Sequence, residues 1–418
     1  MIFRKISLLF IALLCVCNCF AQIDDRSDMY ELFWVGKLKL NDTTLLCFDF
    51  EWKYVKGISQ IVIHNADERI TVDEIRDTRD SLNFTMPVFD SEFRCKKSAD
   101  SLTGRWINHA RKTNNVLPFS ASKVIYGYGK NGGIALLRPP FNGKWEVTFN
   151  PGTADEYKGI GLFKHASGNS ERVTGTILTE TGDYRYLDGV AVDSANLYLS
   201  CFDGAHAFVF KAKLKSDSSL SGDFWAGSHG HEKWVAKRNE KFELRNPDSL
   251  TYLKPGYTKL DFSFPNLAGK KISLSDEKFK YKVVIVQIMG SWCPNCMDET
   301  KFLSAFYSKQ QRNGVEVVSL AYERTGDMKK AVANVERIKA KYVCTYEMLI
   351  AGLTSDRVEA AKTLPALTNI MAFPTTIFID RKGNVRKIYT GFNGPATGKY
   401  YDQYVEDMNS YVSKLLKE

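Results

Sequence analysis

The sequence has no long basic run and no recognisable nucleic-acid module, although its formal charge is +9. Without Arg4 and Lys5 the balance is +7 (55 basic minus 48 acidic residues). Those charges are scattered, which argues for a solvated surface and against DNA or RNA as a partner. No segment approaches the roughly 20 consecutive apolar residues of a membrane-spanning helix. Residues 22–240 contain no hydrolase, phosphate-loop or nucleotide signature. Cysteine is too sparse for a fold built on a disulfide framework. What is present is ordinary globular composition, 44% hydrophobic and 25% charged, which excludes wholesale disorder. A length of 418 residues suggests two or three domains. The 26 Phe and 20 Tyr tilt the expectation towards β-rich structure.

The first residues form a short basic start, an apolar stretch from Ile6 to Val16 and a small-residue exit. Cys19 and Ala21 stand at −3 and −1 of a cut before Gln22, the ending of a secretory signal peptide over residues 1–21. A lipid anchor on Cys15, Cys17 or Cys19, or an uncleaved anchor, is the alternative. The residues preceding them are Leu14, Val16 and Asn18, whereas bacterial lipoprotein signals have a small residue there. The expected location is therefore the periplasm or cell envelope, after cleavage. Six cysteines then remain: Cys47, Cys95, Cys201, Cys293, Cys296 and Cys344. Only one pair has the spacing C-x-x-C, and the other four are expected to be buried, inert thiols.

From Gln22 to about Arg238, short alternating runs such as Leu45–Phe50, Ser59–His64 and Ala207–Leu214 are broken by Gly, Asn, Asp and Ser. This pattern predicts an antiparallel sandwich or barrel. The region also looks duplicated. Asp80-Ser81-Leu82-Asn83 through Phe89-Asp90 aligns with Asp193-Ser194-Ala195-Asn196 through Phe202-Asp203. Ser101–Trp106 echoes Ser219–Trp225, and Trp34 has a counterpart in Trp145. The expected organisation is a β-rich unit over 22–142, a second over 143–240, and a linker over 241–258 with turn-forming Asn246-Pro247-Asp248 and Pro255-Gly256. His206, His229 and His231 cluster loosely and read as ordinary turn and core histidines.

Residues 259–418 change to strands alternating with helices. Lys282–Met289 is a continuous apolar strand of the kind buried on both faces. Helices are predicted over Pro294–Arg312, Asp327–Lys341 and Gly398–Leu416, a strand over Val315–Tyr322, and a hairpin over Thr375–Asp380 and Val385–Tyr389. The order βαβα then ββα predicts a small α/β domain around a mixed sheet. Each of the two regions is expected to fold as a unit.

Cys293-Pro294-Asn295-Cys296 lies where the apolar strand hands over to a helix. Cys293 would sit at the helix N-terminus, where free N–H groups and the macrodipole favour a thiolate that can attack a disulfide. Cys296, one turn in, would resolve the mixed disulfide. Half of a zinc site and a structural bridge are the alternatives. Zinc needs two further ligands, and the chain beyond Cys296 offers only Cys344 and no His.

With its flanks, Trp292-Cys293-Pro294-Asn295-Cys296 resembles the thioredoxin superfamily, and within it the exported TlpA/ResA-like thiol–disulfide oxidoreductases of the redoxin and AhpC/TSA group. The likeness runs from about Pro255 to Glu418. Phe373-Pro374-Thr375-Thr376 matches the family's cis-proline loop. Phe378–Asn384 matches its turn between the last two strands, and Ala351–Ile370 its central insertion. The resemblance implies a thioredoxin-like α/β fold, with catalytic roles for Cys293, Cys296, Glu299 and Pro374. Trp292 and Phe373 would bind substrate, Cys293 and Cys296 would form the redox disulfide, and no metal or bound cofactor is required. Partners would be protein thiols or disulfides and a membrane electron donor. Glu299, three residues after Cys296 on one helix face, matches the acid that helps titrate the thiols. Where thioredoxin carries a buried Asp, this chain has Gln287, which cannot shuttle protons. Two rivals stand beside the oxidoreductase: a cell-envelope binding or scaffold protein with a structural disulfide, and a peroxiredoxin-like enzyme. The second expects a Pro-x-x-x-Thr-x-x-Cys pattern, yet Gly290 and Ile288 occupy the corresponding places.

Overall fold

The computed structural model describes residues 31–126, 140–166 and 171–418. The segment expected to be a signal peptide, residues 1–21, lies outside the described residues. No described helix is long and apolar enough to cross a membrane.

Two nine-stranded antiparallel sheets come first. One contains β1 (Glu31–Lys39), β2 (Leu45–Val55), β3 (Ile58–Asn65), β4 (Glu68–Val72), β5 (Ile75–Asp77), β6 (Ser81–Thr85), β7 (Ser91–Lys97), β8 (Ser101–Asn108) and β9 (Val116–Tyr126). The other contains β10 (Gly143–Phe149), β11 (Tyr157–His165), β12 (Arg172–Thr179), β13 (Gly182–Asp183), β14 (Leu187–Ala191), β15 (Asn196–Phe202), β16 (Ala207–Leu214), β17 (Leu220–Ala226) and β18 (Gly230–Arg238). Most sequence neighbours pair as a meander, with β13 a short spur on β12 and β14 pairing β12 past it, and in each sheet the first strand pairs with the last, β1 with β9 and β10 with β18. The second closes into a barrel through β11–β12 pairing, while the first stays open between β4 and β5. Alternation along the strands explains the filling. In β6 and β7, Leu82, Phe84, Phe93 and Cys95 point inward while intervening residues are at least partly exposed. Phe202, at the end of β15, belongs to the core of the first sheet and stacks on Phe48 at 4.8 Å between centroids.

After the stretch 241–258, a short hairpin of β19 (Ser263–Pro265) and β20 (Lys271–Ser273) leads into the α/β region. It comprises β21 (Val283–Met289), α1 (Pro294–Gln310), β22 (Val315–Tyr322), α2 (Met328–Lys341), β23 (Glu347–Gly352), α3 (Arg357–Lys362), β24 (Thr375–Ile379), β25 (Val385–Thr390) and α4 (Lys399–Lys417). The sheet order is β23-β22-β21-β24-β25, with β21–β22 and β22–β23 parallel and β24 antiparallel to β21. The apolar run of β21 is central and wholly buried, which is why it shows no alternation. β23 has no counterpart among the predicted elements. A run of four apolar residues, Met348 to Ala351, carries no period that separates strand from helix, and pairing with β22 decides the matter. The Asp327 carboxylate starts α2 by accepting from the N–H groups of Lys329 and Lys330.

Val88, in the β6–β7 turn, joins the core of the α/β region, and Phe89 packs against it. The β-rich region therefore shares a core with the α/β sheet.

Candidate active site

Cys293 caps α1 and Pro294 opens it, where a missing N–H costs nothing. The Cys293 sulfur accepts from the Cys296 N–H at 3.3 Å, and its thiol donates to the Phe373 carbonyl at 3.3 Å. The Phe373–Pro374 peptide is cis. Strand end, helix start and cis-proline loop thus converge on one sulfur. Cys293 is 7% exposed and Cys296 fully buried, so only the first can meet an incoming group. Burial pushes the Cys296 thiol well above its usual range, and the neighbouring Cys293 and Glu299 add to the rise. All six cysteines of the described residues are free thiols. Cys95, Cys201 and Cys344 are buried, and burial raises Cys95 to about 12.

Trp292 lies against the end of β22, its indole N–H donating to the Tyr322 carbonyl at 2.9 Å. A side chain at Gly290 would come within 2.3 Å of that nitrogen, so the glycine is what lets the ring lie back. Its edge meets Phe373 and the Arg324 guanidinium sits 3.6 Å from the ring centroid.

Glu299 is completely buried. It accepts from Thr376 Oγ1 at 2.5 Å, Gln287 Nε2 at 2.9 Å and Tyr404 Oη at 3.2 Å. The Gln287 amide also reaches the Cys296 carbonyl at 3.4 Å, and its oxygen accepts from Ser319. Gln287 therefore links the acid to the backbone of the second cysteine. Burial, against the opposing hydrogen bonds, lifts the Glu299 carboxyl from 4.5 to about 7. Because protonated Glu299 is the favoured folded form, its contribution to stability is complete below about pH 4.5 and lost as pH rises through 7. Glu299→Gln should remove that slope, on the order of 3 kcal/mol between pH 5 and 9. It should also let Cys296 ionise at lower pH, since a nearby negative charge is gone. Denaturant midpoints and thiolate absorbance across that pH range check both. Parallel curves for variant and wild type would reduce Glu299 to a packing residue.

The β-rich region supplies side chains that the motif did not announce. Arg185, in the turn between β13 and β14, is 6% exposed. It donates to the Pro294 carbonyl at 3.2 Å and pairs with Asp298 of α1, Glu68 of β4 and Asp203. One guanidinium thus joins both β sheets to the first turn of the cysteine helix. Asn295 donates to the Asp183 carbonyl at 3.1 Å, and the Asp183 carboxylate accepts from Gly394 N–H at 2.6 Å. A Cβ on Gly182 would lie 2.1 Å from the Asn295 amide, so this close approach requires glycine. Burial raises Asp298 to about 7 despite Arg185, with Glu68 and Asp183 adding to the rise. No local pattern announces Arg185 or Asp298, because each finds its partner more than 100 residues away in the chain.

The three histidines do not converge on a metal. His206 pairs with Asp203 at 3.3 Å and His231 with Asp223 at 2.8 Å. Among the described residues no group of His, Cys, Asp and Glu is arranged to hold one.

A thioredoxin-like sheet with two close cysteines at a helix start and a cis-proline opposite defines the class of thiol–disulfide oxidoreductases. Residues 254–404 match the Redoxin family. The chain is 30% identical over 141 residues to thiol-disulfide oxidoreductase ResA of Geobacillus thermodenitrificans, covering 34% of this chain and 72% of that protein. It is 28% identical over 141 residues to thioredoxin-like protein YneN of Bacillus subtilis, covering 33% and 73%. A solved thiol:disulfide interchange protein from Chlorobium tepidum TLS aligns at 22% identity and a TM-score of 0.28, over 38% of this chain and 95% of that one. Through this C-terminal domain the chain belongs to the redoxin family, as a thiol–disulfide oxidoreductase of the ResA-like kind.

Proposed function

We propose that the chain is an exported enzyme of the cell envelope that exchanges disulfides with protein substrates through Cys293 and Cys296. The observation that carries this reading is the Cys293 sulfur, held at the α1 N-terminus between the Cys296 N–H and the Phe373 carbonyl of the cis-proline loop. Cys293 attacks a substrate disulfide, and Cys296 resolves the mixed disulfide and closes the pair. Glu299, poised near neutrality, takes and returns the proton of Cys296. Pro374 and Phe373 present backbone to the substrate, and Trp292 packs against it. A membrane donor would return two electrons, and no bound cofactor is needed. The signal-like start over residues 1–21 supports export. The matched strand count and the shared first-to-last pairing support reading the two β-rich sheets as copies of one unit. We place them at 22–142 and 143–240, joined by 241–258 to the redox domain at 259–418.

The direct test is alkylation of the reduced, folded chain followed by an insulin-reduction assay. Cys293 should be labelled first, and insulin should precipitate with reductant at a rate well above the reductant alone. Cys296 labelling first would reverse the roles. A folded chain without insulin reduction would favour the structural-disulfide rival.

A further inference from the structure

Between the β8–β9 loop and the redox domain lies a cleft of about 150 Å³. It is lined by Ser291 and Trp292, the two residues before Cys293, by Arg111 and Lys112 of the loop, and by Arg324 and Lys330 of the redox domain. Most charges around it are already matched. Lys330 pairs with Asp90 at 2.8 Å and His109 with Glu92 at 2.9 Å. Glu323 accepts from the Ser291 N–H and hydroxyl, at 2.8 and 2.5 Å. Two guanidiniums are not matched. Among the described residues Arg111 has no side-chain acceptor, and Arg324 reaches only the Ser355 hydroxyl at 3.2 Å while lying on Trp292. Burial and the facing Arg111 push Arg324 down to about 10 against the pull of Cys293, Cys296 and Glu323, and burial lowers Arg111 as well. Burial together with Arg111, His206 and Arg324 holds His229 at about 4, so its neutral ring leaves the two guanidiniums, offset only in part by Glu323 beside Arg324, as the excess charge. Two forks that repel each other beside a redox thiol want an anion between them, and a carboxylate fits a guanidinium bidentately.

We propose that this cleft is an anion subsite selecting disulfides that carry a carboxylate next to the sulfur. The inference rests on the oxidoreductase reading and names its substrate class. Two sources share that chemistry, a small acidic disulfide and a chain segment with an acidic residue beside its cysteine. With the carboxylate on Arg111 and Arg324, the substrate sulfur is delivered over Trp292 towards Cys293. The Cys293 thiolate then displaces one sulfur of the disulfide, which leaves as a thiolate and takes a proton. Cys296 displaces the second, so the substrate gains two electrons and the enzyme ends with a Cys293–Cys296 bond.

The test is single-turnover reduction by the pre-reduced full chain, which needs no further reductant. The small-molecule arm compares glutathione disulfide, cationic cystamine and neutral hydroxyethyl disulfide. The peptide arm compares one disulfide-linked peptide bearing Glu or Lys next to its cysteine. At low salt the acidic member of at least one arm should react about tenfold faster than its cationic partner. Arg111→Gln should erase most of that ratio, and Arg111→Lys should keep part of it. Preference in the first arm alone assigns a small thiol, and in the second alone a chain segment; either supports the subsite. Equal rates in both arms, or a ratio unchanged in Arg111→Gln, would overturn it. Failure to reduce hydroxyethyl disulfide at all would instead count against the oxidoreductase reading.

Discussion

Cys293→Ser should lose disulfide exchange down to the background of the assay, a fall on the order of 10⁴-fold or more, because an alcohol cannot replace the thiolate as nucleophile. Cys296→Ser should behave differently. The first attack needs only Cys293, so this variant should stop at the mixed disulfide and hold its substrate covalently. The asymmetry follows from exposure. Cys293 has 7% of its surface open and lies on the Phe373 carbonyl just before the cis-proline, whereas Cys296 is sealed and disfavoured as a thiolate by burial. Insulin turnover measures the loss, and intact mass after incubation with a disulfide peptide measures the trap. A covalent adduct on Cys293→Ser and none on Cys296→Ser would exchange the two roles.

Arg185→Ala should cost about 3–5 kcal/mol at neutral pH, because it leaves the buried Asp203 carboxylate and the partly covered Glu68 and Asp298 without their shared cation. The guanidinium, despite burial, is held charged by Asp298, Glu68 and Asp203. Arg185→Lys should recover little, since one ammonium cannot span the Pro294 carbonyl and three carboxylates. The deficit should also depend on pH. Asp298 has its folded value raised to about 7, so its protonated form is the stable one and its contribution falls away as pH rises through 7. Below that range Asp298 takes up a proton and needs Arg185 less, so the variant should be least impaired in mild acid and most impaired above pH 7. Denaturant unfolding at pH 5.5 and 8.5, with amide exchange at residues 294–298, checks the sign and the place. An equal deficit at both pH values would mean that Asp298 stays ionised throughout. Arg185→Met with Asp298→Asn should restore part of the loss, as removing both members of a buried pair costs less than removing one.

Much of the redox domain was legible because its signals are local. A wholly apolar run announces β21, and Pro294 just after Cys293 marks a helix start. Arg381-Lys382-Gly383-Asn384 marks the turn into β25, with Gly383 at φ 84° and Asp380 accepting from the N–H groups of Lys382 and Asn384. Glu299 was placed on the Cys296 face by helical spacing alone, and that is where it lies. Residues 31–126 and 140–238 were legible as strands through their period of two, but not the closure of one sheet and the opening of the other. That difference rests on β11 meeting β12 where β4 does not meet β5, and the ring itself on the first strand finding the last, Trp145 opposite Arg238, a pairing no short window contains.

Cysteine spacing, strand and helix periods and turn chemistry could be read along the chain, since each depends on residues a few positions apart. Tertiary structure alone decided what surrounds the cysteines. Arg185 reaches Pro294 across 109 residues, and Asn295 meets Asp183 across 112. Val88 enters a core made of strands and helices far along the chain, and Arg111 lines one cleft with Arg324 only because two loops from different regions are packed together. Such contacts carry no period and no spacing. They exist because burying apolar surface brings distant segments into register, and the buried charges then find the partners that folding leaves within reach.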